Sequence, residues 1–453
     1  MRRSALWSIL TTTLVGGAIA AVACGGETSP GDETFNSASN GASNGASTQG
    51  PIDLHLDGGL SPSFVYRDVN HVLGTGQSLA LGSSGSPQLS NSQPYANTMF
   101  ITGAVTGGTG LTAFAPLEER GVESMSSSLA NLVTKLARSA VLIGEPPSTS
   151  SHDLLVSVHA LDGRAYWELK KGGPSGAYEN GIAQVIAANR LTAAANKSYI
   201  VRVVTTVHGE SDQLSNFQKY EAAMLEWQAD YENDVKAITG QAESIPMLET
   251  QISSWTKLTF PTSVVAIAQL SAHINAPGKV ILVGPKYHLP YGTDGLHLTN
   301  EGYRHMGEDY AKVYRRVILE GRPWEPVRPM TTMRAGAVIT VKMYVPAPPL
   351  VLDTTLVTDP GNYGFEWADD GPDTPTVSKV VLTGPDTLAI TLSAAPNEAA
   401  PNKRLRYAFT GTVGAVSGPI TGPRGNLRDS DATVSAYGYP LYNWCVHFDV
   451  PAP

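Results

Sequence analysis

A series of short, strand-like apolar runs alternates with helical segments in the first two thirds of the chain. The runs span residues 69–73, 140–143, 154–158, 199–207, 247–251, 264–268 and 280–283. Continuous apolar runs suit strands that are buried on both faces, as in a parallel sheet. The alternation predicts a doubly wound α/β domain over residues 60–328, in which ligands bind at the carboxyl ends of the strands.

Two of the intervening segments carry clear helix signals. Ser215-Asn-Phe-Gln218 reads as a capping box, and an apolar stripe then runs from Phe217 to Val235, with Gly240 as the stop. A second helix is predicted to begin near Thr299 and to end at Gly321. We expect the aromatic residues on both stripes to be core residues.

The pattern changes after the proline-rich stretch at residues 322–329. Strand-like runs are separated by Gly, Pro, Asn and Asp, and they span residues 338–344, 377–382, 387–392, 405–409 and 444–450. Residues 329–453 are therefore predicted to form a small all-β unit of the sandwich type. Cys445 lies in its last run, where a lone cysteine usually serves as a small buried apolar residue.

The N-terminus has the pattern of an export signal. Arg2 and Arg3 precede a mostly apolar run at residues 6–23, which ends in Ala21-Val-Ala23-Cys24. Residues 1–23 are predicted to be a signal peptide, and Cys24 is predicted to be the lipidated first residue of the mature chain. The alternative is an Ala-x-Ala cleavage site with plain secretion. A membrane-spanning anchor is disfavoured because the run is short and interrupted by polar residues.

Residues 24–59 read as a tether, because Gly, Ser, Asn, Thr and Ala dominate up to about Gly50. Such a composition cannot bury apolar surface and behaves as a flexible coil. Lipid, spacer and folded domain together predict an extracytoplasmic protein anchored in a bacterial cell envelope, with secretion as the alternative.

Composition excludes several classes of function. The 453 residues exceed one ordinary core, so at least two folded units are expected. The net charge is −9 without a basic run, which disfavours a nucleic-acid partner. Two cysteines and ten histidines without a His-x-x-x-His pair predict no disulfide framework, no metal and no cofactor. No obligate protein partner is evident.

Ser78 ends the motif Gly74-Thr-Gly-Gln-Ser78, which places a serine in a turn directly after a predicted strand. A nucleophile there would face the ligand cleft, and the N–H groups of the following helix could stabilise an oxyanion. A serine after Gly-x-Gly is also common as a plain turn or N-cap residue. Leu79 occupies the place of the third glycine in a dinucleotide-binding motif, which excludes that function.

A partner for this serine lies near the end of the same domain, in Asp294-Gly-Leu-His297. An acid and a histidine three residues apart, on a turn that enters a helix, can meet in space. The carboxylate then fixes the tautomer of the imidazole, which takes a proton from the serine. Ser78, His297 and Asp294 are therefore predicted to be the nucleophile, the base and the orienting acid of a hydrolase.

Three short motifs, in this order along the chain, resemble the sequence blocks of the SGNH/GDSL hydrolase superfamily, in the branch of sialate O-acetylesterases and acetylxylan esterases. That branch begins with Gly-Gln-Ser, here Gly76-Gln77-Ser78, and ends with Asp-x-x-His, here Asp294 to His297. Its third block, Gln-Gly-Glu followed by Ser and Asp or Asn, corresponds to His208-Gly-Glu-Ser-Asp212. The resemblance covers the α/β part and implies a flavodoxin-like, SGNH-type sheet.

The resemblance also implies an oxyanion hole. Its donors would be the N–H of Ser78 and that of a second-block glycine, for which Gly163 is the choice and Gly172 and Gly173 are competitors. His208 replaces the glutamine whose amide helps to bind the oxyanion in the family. A neutral imidazole can donate one N–H, so His208 is predicted to be a third donor. The alternative is that it only packs beneath the site.

Gln77 and Glu210 complete the predicted site. Gln77 adjoins the nucleophile and is assigned to the oxyanion and substrate-binding residues. Glu210 is expected to hold the third loop in shape through hydrogen bonds to backbone. The alternative is that Glu210, instead of Asp294, is the acid partner of His297.

The sequence thus predicts a serine esterase that removes O-acetyl groups from carbohydrate. One alternative is an esterase of the same type acting on lipid, aryl or peptidoglycan esters. Another is a glycan-binding surface lipoprotein without catalysis. Leu405-Arg-Tyr-Ala-Phe409 and Gly425-Asn-Leu-Arg-Asp-Ser430 resemble the accessory region of sialate O-acetylesterase-like proteins, which would either bind glycan or only pack against the catalytic domain.

Overall fold

A central sheet of seven strands organises the first part of the computed structural model, which describes residues 64–141 and 152–453. The strands are β1 (Val69–Gly76), β2 (Thr98–Phe100), β3 (Phe114–Pro116), β4 (Leu154–Val158), β5 (Tyr199–Val207), β6 (Met247–Gln251) and β7 (Val280–Pro285). Their order is β3-β2-β4-β1-β5-β6-β7. Every neighbouring pair is parallel except β2 and β3. The predicted parallel α/β sheet is confirmed.

Helices cover both faces of this sheet. They are α1 (Ser78–Leu81), α2 (Ser126–Val141), α3 (Tyr166–Leu169), α4 (Ala177–Ala194), α5 (Phe217–Thr239), α6 (Val264–Asn275) and α7 (Asn300–Tyr314). Successive strand residues point to opposite faces. Accordingly, Val72 and Val203 pack in the core beneath α2 and α7, whereas Leu73 and Val204 pack beneath α4, α5 and α6. This arrangement is doubly wound, as predicted.

The two helices with clear sequence signals form as expected. In α5 the cap is Asn216, one residue after the predicted Ser215, and its side chain accepts a hydrogen bond from the N–H of Lys219 at 2.8 Å. Thr299 caps α7 by accepting from the N–H of Gly302 at 3.1 Å. A π-helical turn, Arg315–Leu319, extends α7 before the chain leaves the helix.

Two of the predicted strands are wrong. Residues 264–268 form the first turns of α6, which Ser263 caps by accepting from the N–H of Ala266. A short apolar run does not separate a buried strand from a buried helix, and here the cap decides the outcome. The strand predicted at residues 140–143 also fails where it is described, because α2 continues to Val141.

The remaining strands form three antiparallel sheets. They are β8 (Arg328–Ala335), β9 (Val338–Tyr344), β10 (Val351–Leu352), β11 (Phe365–Ala368), β12 (Val377–Leu382), β13 (Thr387–Leu392), β14 (Arg404–Tyr407), β15 (Leu427–Arg428) and β16 (Phe448–Pro451). The sheet orders are β12-β13-β9-β8, β11-β14-β16 and β10-β15. Ile339 and Ile390 from the larger sheet share one core with Leu405 and Phe448 from the second. The predicted all-β sandwich-like unit is therefore present, although β16 begins later than predicted.

The β region and the α/β region share buried contacts. Leu282 of β7 and Tyr287 lie in the same apolar core as Val446. The side chain of Gln251 pairs with the backbone of His447, donating to its carbonyl at 2.9 Å and accepting from its N–H at 2.8 Å. These bonds are buried, so the junction is a specific contact and both regions belong to one compact unit.

The predicted signal peptide, Cys24 and the tether lie outside the described residues. Within the ranges that the structure describes, no helix is both long enough and apolar enough to cross a bilayer.

A variant at Gln251 tests how much this junction contributes to the unfolding free energy. Gln251→Ala would leave the buried N–H and carbonyl of His447 without partners, which costs about 2–4 kcal/mol of unfolding free energy. Gln218→Ala on the exposed side of α5 is the control and should change it by less than about 0.5 kcal/mol. Urea unfolding followed by fluorescence measures both variants. Equal stability of the two would show that the Gln251 pairing contributes little.

Candidate active site

Ser78 lies where β1 ends and α1 begins. Gly76 just before it has φ +126°, and a Cβ at that position would approach the carbonyl oxygen of Val207 to 2.3 Å, so only glycine fits. The N–H of Gln77 donates to that same carbonyl at 3.1 Å. The turn therefore holds Ser78 at the carboxyl edge of the sheet, on the strand whose neighbours are β4 and β5, where doubly wound folds bind ligands.

Asp294 and His297 form a pair in the loop that precedes α7. Oδ1 of Asp294 accepts hydrogen bonds from the N–H groups of Leu296 and His297, both at 3.0 Å. Oδ2 lies 2.7 Å from Nδ1 of His297. Partial burial raises the pKa of Asp294, but the bonds from Leu296 and His297 outweigh it, so the pKa is lowered. The ionised carboxylate therefore holds the proton of His297 on Nδ1 and leaves the lone pair on Nε2.

Three loops converge on the α1 turn through side-chain hydrogen bonds. Gln77 accepts from the N–H of Ser211 at 3.3 Å, which joins the turn to the third block. The hydroxyl of Ser83 donates to Asp162 at 2.8 Å. The hydroxyl of Ser84 donates to Oδ2 of Asp294 at 3.4 Å. The structure thus brings the loops that carry the predicted site residues together around Ser78.

Within the described residues, no hydrogen bond joins the Ser78 hydroxyl to Nε2 of His297. Such catalytic bonds are often long in ligand-free structures and shorten when substrate binds. Ser78 is only 7% exposed, whereas the side chains of His297 and Asp294 are partly open to solvent.

Gly163, the glycine predicted to complete the oxyanion hole, has an available backbone N–H. It is exposed in a left-handed turn, and none of the hydrogen bonds among the described residues uses its N–H. The N–H of Gly172 instead donates to Glu179 at 2.9 Å, and that of Gly173 to the carbonyl of Lys170 at 2.8 Å. The contacts therefore favour Gly163 over the two competitors.

The contacts of His208 leave no N–H for an oxyanion. Its Nε2 lies 3.1 Å from the carbonyl of Arg164, to which it must donate, and its Nδ1 then accepts from the hydroxyl of Tyr220 at 2.9 Å. Burial lowers the pKa of His208, so the ring is neutral. In this arrangement His208 fastens the loop that carries Gly163, which differs from the direct donation predicted from the sequence.

Glu210 also differs from its predicted role. Its Oε1 accepts from Nζ of Lys286 at 3.0 Å, and both side chains are almost fully buried. No backbone N–H of the third loop donates to it. A buried ion pair of this kind fixes the relative position of its two segments, because either charge alone would be strongly unfavourable. Glu210 thus joins the third block to the segment after β7, while Asp294 takes the place beside His297.

Sequence reasoning missed Lys286, Asp162 and Ser84 as supporting residues. A lysine is usually exposed, and nothing in the local pattern around Lys286 indicates burial. Asp162 is next to Gly163 in the sequence, and this position beside a predicted oxyanion-hole residue is the feature that indicates a supporting role for Asp162.

A polar cavity lies beside the Asp294–His297 pair. Its volume is about 350 Å³, and its lining includes Asp294 together with Ser84, Ser86, Thr293 and Asn300. A larger cavity of about 530 Å³ lies at the amino ends of β1 and β4, beside Asn70 and Leu154, at the opposite edge of the sheet. The chemistry of the residues, and not cavity volume, therefore locates the site.

A loop of the β region reaches the rim of this site. The N–H of Ser417 donates to the carbonyl of Gly295 at 3.2 Å, and Val416 packs directly against Gly295. The carbonyl of Ala415 accepts from the hydroxyl of Thr256 at 2.9 Å. Residues 411–418, called the rim loop below, thus border the turn that carries Asp294 and His297.

No protein-family model and no curated protein matches this chain. Its structure is similar to that of a carbohydrate acetylesterase from Xanthomonas citri, at 14% identity and a TM-score of 0.49, over 85% of this chain and 80% of that chain. A protein from Arabidopsis thaliana is similar at 16% identity and a TM-score of 0.38, over 55% and 98% of the two chains. An aryl esterase from M. smegmatis has 12% identity and a TM-score of 0.31, again over 55% and 98%.

Proposed function

We propose that this protein is a serine esterase that removes acetyl groups from carbohydrate. The observation that carries the proposal is the convergence of the Asp294–His297 pair and two other loops on the turn of Ser78. In this proposal Ser78 attacks the ester carbonyl, and Nε2 of His297 takes its proton and returns it to the leaving alcohol; a water molecule, deprotonated by His297, then releases acetate and restores Ser78. Asp294 keeps the imidazole in the required tautomer.

The oxyanion hole in this proposal consists of backbone groups. Ser78 is the first residue of α1, where the N–H has no acceptor within the helix. The free N–H of Gly163 is the second donor, and His208 supports it through Arg164. Preorganised donors of this kind stabilise the charge that develops on the carbonyl oxygen.

The choice of carbohydrate depends on two features. The motif blocks resemble those of carbohydrate O-acetylesterases, and the cavity beside Asp294 offers hydroxyl and amide groups that can bind sugar hydroxyls. A hydrolysis screen tests the substrate class, with acetylated xylan, O-acetylated sialic acid, aryl acetates and long-chain acyl esters compared by kcat/KM. A preference for long acyl chains would instead support a lipid esterase, with Val416 at the rim as the apolar contact.

Ser78→Ala should abolish ester hydrolysis and labelling by a fluorophosphonate probe, because the attacking oxygen is lost. The fold should stay intact, as measured by circular dichroism and thermal unfolding. Ser92→Ala, an exposed serine in the following loop, is the control and should behave as wild type. If wild-type protein takes no label and hydrolyses none of the esters, the glycan-binding alternative without catalysis is supported.

Asp294→Asn should lower kcat by about a thousandfold or more with little change in KM, because an amide favours the wrong tautomer of His297. Glu210→Gln should mainly lower stability, by about 3–5 kcal/mol, because Lys286 would be left buried without its partner. Kinetics per folded molecule and urea unfolding separate the two effects. A mild effect of Asp294→Asn beside a severe loss of kcat in Glu210→Gln would reverse the assignment of the acid.

We also propose that the mature protein is anchored in the bacterial cell envelope through a lipid on Cys24, since small residues precede that cysteine and a Gly/Ser/Asn tether follows it. Cys24→Ser should release the protein from the membrane fraction of an expressing bacterium, and mass spectrometry of wild type should find acyl chains on Cys24. Mature soluble protein with an unmodified Cys24 would favour plain secretion.

A further inference from the structure

A second cluster of chemically active side chains lies away from Ser78, between α7 and the C-terminal segment. His305 and Asp309 are four residues apart on α7 and therefore share one face of the helix. His288 joins them from the segment that follows β7. One potential ligand atom from each of the three lies within 4.8 Å of the other two.

The two imidazoles have nitrogen atoms that are buried without hydrogen-bond partners among the described residues. For His305 this atom is Nε2, and for His288 it is Nδ1. A buried imidazole nitrogen without a partner is unusual in a folded protein, and a bound metal ion is one group that would satisfy it.

Neighbouring aromatic residues hold both rings in place. His305 stacks on Tyr439 with an interplanar angle of 8° and a centroid distance of 5.0 Å. His288 stacks on Trp444 at 16° and 5.9 Å. The side chains of His288 and Asp309 are 6% and 12% exposed, and Nε2 of His288 lies 3.2 Å from Oδ2 of Asp309. These contacts hold both imidazole rings close to Asp309.

The charges around the cluster also favour a cation. The carboxylates of Asp309, Asp429 and Asp431 lie around the buried ammonium group of Lys312. Nζ of Lys312 lies 3.4 Å from Asp431 but 3.7 Å from the other oxygen of Asp309, Oδ1. Oδ1 of Asp309 therefore faces Lys312, and Oδ2 faces His288. The three carboxylates together carry more negative charge than one lysine neutralises.

We propose that His288, His305 and Asp309 bind a divalent transition metal ion of the zinc class. Two imidazoles and one carboxylate are ligands that Zn²⁺ accepts, at about 2.0–2.2 Å. Ligands at that length lie within about 4.2 Å of one another, so small side-chain rotations would close the cluster around the ion. Nε2 of His288, which faces Oδ2 of Asp309, must then lose its proton, either to the unpartnered Nδ1 of the same ring or to water.

The role of this ion would be structural. Its ligands come from α7 and from the segment after β7, and their supports come from residues 439–444 of the C-terminal segment. Binding would therefore fasten the C-terminal segment to α7, close to the chain that leads to His297. The site takes no part in the ester chemistry, so the proposal stands independently of the esterase function.

The test uses tag-free full-length mature protein stripped with a chelator and then passed through a desalting column. Calorimetric titration with ZnCl₂ should show about one tightly bound equivalent per chain, and thermal unfolding should shift upward by about 3 °C or more at saturation. Co²⁺ in place of Zn²⁺ should give visible d–d absorption typical of nitrogen and oxygen ligands in a site of low coordination number.

Two variants test whether the cluster of His288, His305 and Asp309 is the site that binds Zn²⁺. His305→Gln should weaken Zn²⁺ binding by at least about tenfold and abolish the thermal shift. His273→Gln is the matched control, because His273 is equally buried on α6 and pairs with Glu325 at 3.1 Å without a second histidine. It should bind Zn²⁺ as wild type does. No binding by wild type, or equal binding by wild type and His305→Gln, would overturn the proposal. The Co²⁺ spectrum of wild type remains a valid test even if a variant fails to fold.

Discussion

The close approach of β1 to β5 at Gly76 is the constraint on which the candidate site depends. A side chain there would collide with the carbonyl of Val207, and that same carbonyl accepts the N–H of Gln77. Without this contact the turn could not place Ser78 at the first position of α1. Gln77, in this turn, accepts a hydrogen bond from one loop, and Ser83 and Ser84, just after α1, donate to two others, so the position of α1 among these loops depends on the missing Cβ of Gly76.

Buried polar groups around that turn connect segments that are far apart in the chain. Glu210 meets Lys286 across the carboxyl ends of the strands, and His208 meets Arg164 in the adjoining loop. Neither contact adds much net stability, because removing such groups from water is costly. Their effect is on position, since each bond admits few geometries in a dry environment. Such preorganisation suits a site that must stabilise charge during a reaction.

The sequence predicted what depends on local spacing. Asp294 and His297 are three residues apart, and their pairing follows from a single turn. The strand, turn and helix around Ser78 are equally local. The partners of His208 and Glu210 are not, because Tyr220, Arg164 and Lys286 reach them only through the tertiary fold. The apolar run at residues 264–268 fits a strand and a buried helix equally well, and the cap at Ser263 is the local feature that distinguishes the two. The sequence predicted no metal site, and the proximity of His288 to His305 and Asp309 arises only in the tertiary fold.

The rim loop has a consequence for how such a protein can change its specificity. Residues 411–418 belong to the β region, yet they lie against Gly295 and Thr256 at the border of the candidate site. The sheet that carries Ser78 is constrained by buried contacts on both faces, whereas this loop is attached by a few backbone hydrogen bonds and by Val416. In the proposed esterase, insertions or exchanges there would alter which ester enters while the sheet that carries Ser78 stays unchanged. The β region would then be an exchangeable part of the proposed substrate entrance, and selection on it would be partly separate from selection on the chemistry.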